Sequence, residues 1–280
     1  MKDETIMDEP IFIIGSPRSG TTWVQRLLMS VDGVAGYQES HFFCYFGDAI
    51  KKFKKQEGLK RVVGLPAYMN YGDFKKHLRN IWYDMMSPYI EKSRADTGDV
   101  KLLVEKTPGH ALHMVEILEI FPKAKFIHVL RDSRAVSASL IAASNDDWGI
   151  SGKSSAIDAA YHWCKHVELI LNTTEMLQLS SDKIRTVRYE DISRNTEKEF
   201  RRLLEFTGLQ VTDEKIEEIL NTNLFKNQVK NNGTFFKEPK GFFRNGDPDS
   251  WRKELSKKQK EDIYRITSRI MNKVGYECTK

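Results

Sequence analysis

Short apolar runs alternate along this chain with stretches whose apolar positions recur every three or four residues. The runs 11–15 (Ile-Phe-Ile-Ile-Gly), 101–104 (Lys-Leu-Leu-Val), 124–130 (Ala-Lys-Phe-Ile-His-Val-Leu) and 184–188 (Ile-Arg-Thr-Val-Arg) predict strands, with a shorter one near 34–37 beside the first. Runs of this length and apolar content suit strands covered on both faces. Helical spacing predicts helices over 21–31, 109–120, 132–143 and 155–178, then at about 194–207, 212–221 and 256–273. Buried strands alternating with amphipathic helices predict an α/β fold: a parallel sheet flanked by helices.

Residues 42–95 break the alternation. They are rich in aromatic residues and lysine and predict a helical insertion after the second strand. In an open α/β sheet ligands sit beyond the carboxyl ends of the strands, so such an insertion can wall a pocket. Aromatic residues at helical spacing also build core, and both readings stay open. The cluster Lys51-Lys52-Phe53-Lys54-Lys55 reads as a solvated helix face. Residues 230–255 show little periodicity and read as a long loop of the functional or disordered kind. There is no internal repeat, and residues 1–280 are expected to form a single domain.

Composition narrows the class. Hydrophobic residues make up 40% of the 280 and charged residues 30%, enough for a substantial core in a soluble protein. The net charge of +5 suits an anionic ligand but is too dilute to argue for nucleic acid. No run approaches bilayer-spanning length, so stable membrane insertion is not expected. The opening Met1-Lys2-Asp3-Glu4-Thr5 lacks an apolar leader core, and a cytoplasmic location is expected. Cys44, Cys164 and Cys278 are odd in number and irregular in spacing, as for reduced thiols rather than a disulfide framework or zinc site.

The strongest chemical signal is residues 15–23, Gly-Ser-Pro-Arg-Ser-Gly-Thr-Thr-Trp. A buried strand, a glycine-containing loop and a helix opening on two threonines form a phosphate cradle. There backbone N–H groups and the positive helix end converge on an anion. Gly15 and Gly20 have P-loop spacing, but Thr21 stands where a nucleotide hydrolase or kinase carries lysine. Such a loop holds a phosphate in place rather than managing its transfer with magnesium, and Arg18 supplies the positive charge.

This nonapeptide resembles the 5′-phosphosulfate loop of sulfotransferases that use 3′-phosphoadenosine 5′-phosphosulfate (PAPS). Three further segments match in order and spacing, so the resemblance runs over roughly residues 10–255. It implies that Arg18, Ser19, Gly20, Thr21 and Thr22 hold the 5′-phosphosulfate and that Trp23 lies on the adenine. In the second segment, Val129 to Ser139, the resemblance gives Arg131 and Ser139 the 3′-phosphate. Taken alone, Arg131-Asp132-Ser133-Arg134 reads equally well as a capped helix start with an ion pair. In the third, Arg188-Tyr189-Glu190-Asp191-Ile192, the resemblance sets Tyr189 against the adenine. The fourth, Phe243-Arg244-Asn245-Gly246 with Trp251, is similar to a segment that closes over the cofactor, with Asn245 replacing a lysine. Arg244, Asn245 and Gly246 are the cofactor contacts that it implies.

The cytosolic members of that family carry lysine at the position of Arg18 and a histidine base in a Lys-Thr-His segment. Here the equivalent segment is Glu105-Lys106-Thr107-Pro108-Gly109-His110, with proline where the histidine would fall. The tyrosylprotein, carbohydrate and several bacterial members instead have a glutamate 21 residues past the loop arginine, and Glu39 stands at that distance from Arg18. A strand near 34–37 would bring Glu39 to the same sheet edge as the loop. Enclosed there, a carboxylate gains proton affinity and becomes a competent base. The resemblance also has Lys106 touching the transferring sulfonate, while His41, His110 and His113 are lesser candidates.

The sequence thus predicts metal-independent sulfonate transfer from PAPS to a hydroxyl, ahead of an amine, with Arg18, Lys106 and Glu39 catalytic and no metal ligand. The acceptor stays open among small molecules, lipids, saccharides and peptides, as does the oligomeric state. The alternatives are a P-loop kinase of small molecules and a non-catalytic nucleotide-binding protein on the same fold.

Overall fold

A computed structural model of the chain describes residues 9–59, 63–144, 154–223 and 246–277. Five strands form one sheet: β1 (Ile11–Gly15), β2 (Val34–Gly36), β3 (Leu102–Lys106), β4 (Lys125–Leu130) and β5 (Ile184–Arg188), in the order β2-β3-β1-β4-β5. Every pairing is parallel. β1 is central and wholly buried because it is covered on both faces. Its side chains alternate, as a strand requires. Ile11 and Ile13 enter one core with Val104, Ile127 and Val187. Phe12 and Ile14 enter the other with Leu103 and Phe126.

Helices close both faces. The first core is covered by α1 (Thr21–Met29), α8 (Thr196–Thr207) and α9 (Asp213–Asn223). The second is covered by the insertion, α2 (Phe42–Gly58) and α3 (Tyr71–Thr97), and by α4 (Met114–Ile120). The insertion's aromatic residues are mostly core. Phe42, Phe43, Phe53, Phe74 and Trp82 are buried, Phe53 stacks on Phe74 with ring centres 4.4 Å apart, and Trp82 meets Phe121 edge-on. Lys51, Lys52, Lys54 and Lys55 are exposed around buried Phe53, so the cluster is the expected solvated face.

Three expected elements differ in detail. The 109–120 helix is a 3-10 segment, Pro108–His113, followed by α4, because Pro108 opens the segment and His113 breaks the helical backbone at φ −135°. The 194–207 helix is α8, Thr196–Thr207, preceded by a short helix that was not expected, α7 (Tyr189–Arg194), from which Asn195 at φ −135°, ψ 55° separates it. Strand β3 runs on to Lys106, which puts Glu105 and Lys106 inside the sheet rather than after it. The remaining helices are α5 (Ser133–Ala143), α6 (Ala156–Met176), a turn at Trp251–Glu254 and a C-terminal helix Lys257–Lys273. None of the described helices is long and apolar enough to cross a membrane. Cys44 and Cys164 are free thiols, and Cys278 lies outside the described residues.

Candidate active site

The β1–α1 junction turns on two left-handed residues. Gly20, at φ 97°, caps α1 with no side-chain hydrogen bond, and the first turn carries no acidic residue. The α1 terminus therefore keeps its N–H groups and dipole available to an anion. Arg18 sits at φ 69°, an uncommon conformation for a residue with a side chain. It turns the guanidinium across the edge, where Nε donates to Ser139 Oγ at 3.1 Å. Ser19 Oγ is buried with no hydrogen-bond partner, as is Nε of Arg131. Buried polar atoms of this kind are costly unless something satisfies them. Two such donors beside an uncapped helix end fit a multi-oxygen anion.

Arg131 follows β4 directly. Its carbonyl accepts Trp163 Nε1–H at 2.9 Å, and its Nη1 donates to the Arg18 carbonyl at 3.2 Å, tying β4 to the loop. The guanidinium lies 3.9 Å from the centre of the Tyr189 ring. That ring packs so closely on Gly20 that a Cβ there would come within 2.4 Å of it. Trp23 is buried, meets Tyr189 edge-on with centres 5.8 Å apart and donates Nε1–H to the Asn223 carbonyl at 3.1 Å. Tyr189 itself is 2% exposed and donates its hydroxyl to the Gly246 carbonyl at 3.0 Å. Both aromatic residues thus sit beneath Arg131 and the loop as packed supports. The capped helix start also exists, but it belongs to the next residues. Asp132 caps α5 at the Arg134 N–H and forks onto the Arg134 guanidinium. Arg244 and Asn245 lie outside the described residues.

The other half of the edge is built by β2 and β3. Lys106 is in register with Ile13 of β1, two residues before the loop begins. Its ammonium, 3% exposed, donates to Glu39 Oε1 at 2.6 Å, while His41 Nε2 stands 3.4 Å from Oε2. Glu39 is not enclosed as expected: its side chain is 32% exposed, because β2 ends at Gly36 and Glu39 sits in the loop beyond. The enclosed carboxylate is its neighbour across the edge, Glu105. Glu105 Oε1 accepts Ser40 Oγ–H and Thr107 Oγ1–H, each at 2.7 Å, and the Ser40 N–H at 3.3 Å, while Oε2 lies 2.7 Å from His110 Nδ1. Burial alone would raise the Glu105 pKa, but the adjacent His110 and the hydroxyl donors outweigh it and hold it below the usual carboxylate range. His110 is fully buried and accepts the Phe43 N–H at Nε2, 3.1 Å away, so it faces the core. His113 stands 3.7 Å from Glu116 rather than at Glu39.

The model of the sulfotransferase family matches residues 10–213, well over half of the chain. The chain belongs to the sulfotransferase family. It is 25% identical to the omega-hydroxy-beta-dihydromenaquinone-9 sulfotransferase Stf3 of Mycobacterium bovis over 74% of this chain and 64% of that protein. It is 27% identical to protein-tyrosine sulfotransferase 1 of Danio rerio over 72% of this chain and 54% of that protein. The chain thus spans less than two thirds of the length of these curated relatives. In fold it is similar to mouse sulfotransferase SULT7A1 complexed with PAP, with a TM-score of 0.62 at 14% identity over 94% of this chain and 84% of that one. It is also similar to the sulfotransferase domain from the curacin biosynthetic pathway, with a TM-score of 0.58 at 19% identity over 96% and 98%. The parallel five-stranded sheet flanked by helices is therefore the sulfotransferase fold.

Within this sulfotransferase-family chain, the sequence-predicted residues gather in two groups. Arg18, Gly20, Ser139, Arg131, Trp23, Tyr189 and Gly246 connect by the contacts above, with Ser19 between Arg18 and Gly20 in the loop, and Glu39 pairs with Lys106. Thr21 and Thr22 open α1 and are buried. The residue that sequence reasoning passed over is Glu105. Its signal was a charge inside an otherwise apolar strand, Leu-Leu-Val-Glu-Lys, where an acidic residue stays buried only if donors surround it.

Proposed function

We propose that this sulfotransferase-family protein moves sulfonate from PAPS to an acceptor hydroxyl, with an amine a lesser acceptor. The observation that carries the reading is the paired edge: an uncapped α1 terminus with unpartnered Ser19 Oγ and Arg131 Nε on one side, and a carboxylate–lysine pair on the other. PAPS, when bound, supplies the sulfonate and leaves as 3′-phosphoadenosine 5′-phosphate. Ser19, Gly20, Thr21 and Thr22 hold the 5′-phosphate end through the helix terminus, with Arg18 beside it. Arg131 and Ser139 hold the 3′-phosphate. Trp23 and Tyr189 lie against the adenine, and Arg244, with Asn245 and Gly246, joins Arg131 and Ser139 at the 3′-phosphate.

Arg18 and Lys106 place positive charge where negative charge develops on the bridging oxygen, which is how fixed electrostatics lowers such a barrier. Glu39 takes the proton of the acceptor hydroxyl. Its exposure lets an acceptor reach it from solvent, and Lys106 orients one oxygen while the other stays accessible beside His41. The curated relatives act on a menaquinone derivative and on protein tyrosine, so the hydroxyl rather than its carrier is the shared feature. The protein is read as cytoplasmic and as needing no metal.

The test is transfer from labelled PAPS to a panel of alcohols and phenols in the presence of EDTA. Labelled product without a divalent cation supports the reading. Phosphate transfer from magnesium–ATP, with no product from PAPS, would replace it by the kinase alternative. Binding of 3′-phosphoadenosine 5′-phosphate with no transfer to any acceptor would point to the non-catalytic one.

A further inference from the structure

The loop between β2 and α2 is keyed to β3 and the following turn almost residue by residue. Glu39 meets Lys106, Ser40 meets Glu105, the His41 N–H donates to Thr107 Oγ1 at 3.2 Å, and the Phe43 N–H donates to His110 Nε2 at 3.1 Å. Consecutive strand residues project to opposite faces. Leu103, on the face of Glu105, enters the insertion-side core, and Val104, on the face of Lys106, enters the other. Glu105 and Lys106 thus grip neighbouring loop residues from the two sides of the sheet edge.

We infer that Glu105 is a positioning residue whose ionised carboxylate sets Glu39 against Lys106. The inference rests on the reading of Glu39 as the base. An ionised carboxylate only accepts hydrogen bonds, and the groups bonded to this one all donate, to Oε1: the Ser40 N–H, Ser40 Oγ and Thr107 Oγ1, while His110 Nδ1 stands 2.7 Å from Oε2. The tautomer of His110 follows from its other nitrogen. Because Nε2 accepts the Phe43 N–H, the imidazole proton sits on Nδ1, toward Glu105. The imidazole thus accepts the Phe43 amide on one side and stands against the carboxylate on the other.

An amide cannot replace that carboxylate. In Glu105→Gln an NH2 group at the Oε1 position meets the Ser40 N–H, and at the Oε2 position it meets the His110 Nδ1–H. Moving the imidazole proton to Nε2 only transfers the conflict to the Phe43 N–H. Ser40 is doubly placed, since its Oγ also accepts the Phe42 N–H at 3.1 Å at the start of α2. Loosening this network frees the loop that carries Glu39, while Arg131 stays tied to the Arg18 carbonyl and packed on Tyr189.

The experiment compares Glu105→Gln and Ser40→Ala, each alone and combined with Glu39→Gln. It measures release of 3′-phosphoadenosine 5′-phosphate from PAPS with a primary alcohol and with a phenol, together with amide hydrogen exchange of the full chain. A base placed about an ångström off costs roughly 10–100-fold in rate. That loss is expected in kcat for the alcohol, with a smaller loss for the more acidic phenol and unchanged cofactor affinity. Exchange at Ser40, His41 and Phe43 should quicken while β1 stays protected, and in the Glu39→Gln background neither change should cost more. Equal losses for both acceptors, or full losses persisting without Glu39, would overturn the inference. Should Glu105→Gln fail to fold, Ser40→Ala decides by the same criteria. Normal turnover by Glu39→Gln alone would instead remove the base reading itself.

Discussion

On the β1–β4–β5 side of the carboxyl edge the helix terminus is left without a side-chain cap, and Ser19 Oγ and Arg131 Nε are left without hydrogen-bond partners. On the β2–β3 side the charges are already matched within the protein. Glu39 is paired with Lys106, and Glu105 is ringed by donors. The contrast separates two tasks. A half with unmet donors is organised for something that arrives carrying oxygens. A half with matched charges is organised to hold its own groups in a fixed relation. The two glutamates show the same division at closer range. Glu105, buried and surrounded by donors, is held ionised with its pKa below the usual carboxylate range, which makes it the weaker base. Glu39, part exposed beside a lysine, can meet an acceptor.

The largest effect that can break this division belongs to Glu39→Gln. The substitution keeps size and hydrogen-bonding reach but removes proton acceptance. Transfer to an unactivated alcohol should fall by about 10²–10⁴, the span for losing a general base, while cofactor affinity survives. Weakened binding of 3′-phosphoadenosine 5′-phosphate in calorimetry would show that the two sides are not separate. His110→Ala is no neutral control, since it removes the donor that faces Glu105 and the acceptor of the Phe43 N–H. A loss there reports disturbed positioning.

The next effect tests the other side. Arg131→Ala should weaken cofactor binding by about 1.5–3 kcal/mol, the worth of a charge-assisted hydrogen bond. Folding should suffer little, because Asp132 keeps its own cap and ion pair with Arg134. Affinity unchanged by calorimetry would return Arg131 to a purely structural role over Tyr189.

The smallest effect is one of stability against pH. Burial lowers His128, on β4, and His166, on α6, to about 4. Their ordinary value is 6.5, so between pH 6.5 and 4 the unfolded chain binds protons that the folded chain refuses. Stability is then full above about pH 6.5 and declines as pH falls toward 4. Glu105 stays ionised across that window, because its pKa lies below the ordinary 4.5, and its contribution is lost only at lower pH. Melting temperature followed against pH should show the first decline flattened in His128→Leu. An unchanged slope would mean that His128 takes up its proton in the folded state.

The sequence by itself determined the sheet, the cradle and the family. Apolar runs with helical stretches between them leave few ways to bury both faces of a sheet, and a glycine-bounded loop between strand and helix is local chemistry. It also placed Arg18, Arg131, Tyr189 and Glu39 at strand ends, since each follows its strand within a few residues. It could not decide how far those side chains are enclosed, because enclosure depends on segments distant in the chain. Glu39 was expected to be buried and is part exposed, since β2 stops at Gly36. Tyr189 and Trp23 turned out to be packed beneath Arg131 and the loop, through contacts with Gly20, Asn223 and Gly246 that no local pattern announces. Glu105 is the clearest case. Its neighbours in sequence mark only an odd charge in a strand, and its meaning comes from Ser40 and His110. Those residues lie 65 positions before it and 5 after it. Which donors surround a buried carboxylate is a property of tertiary packing, because the loop that brings Ser40 to Glu105 lies 65 residues away in the chain.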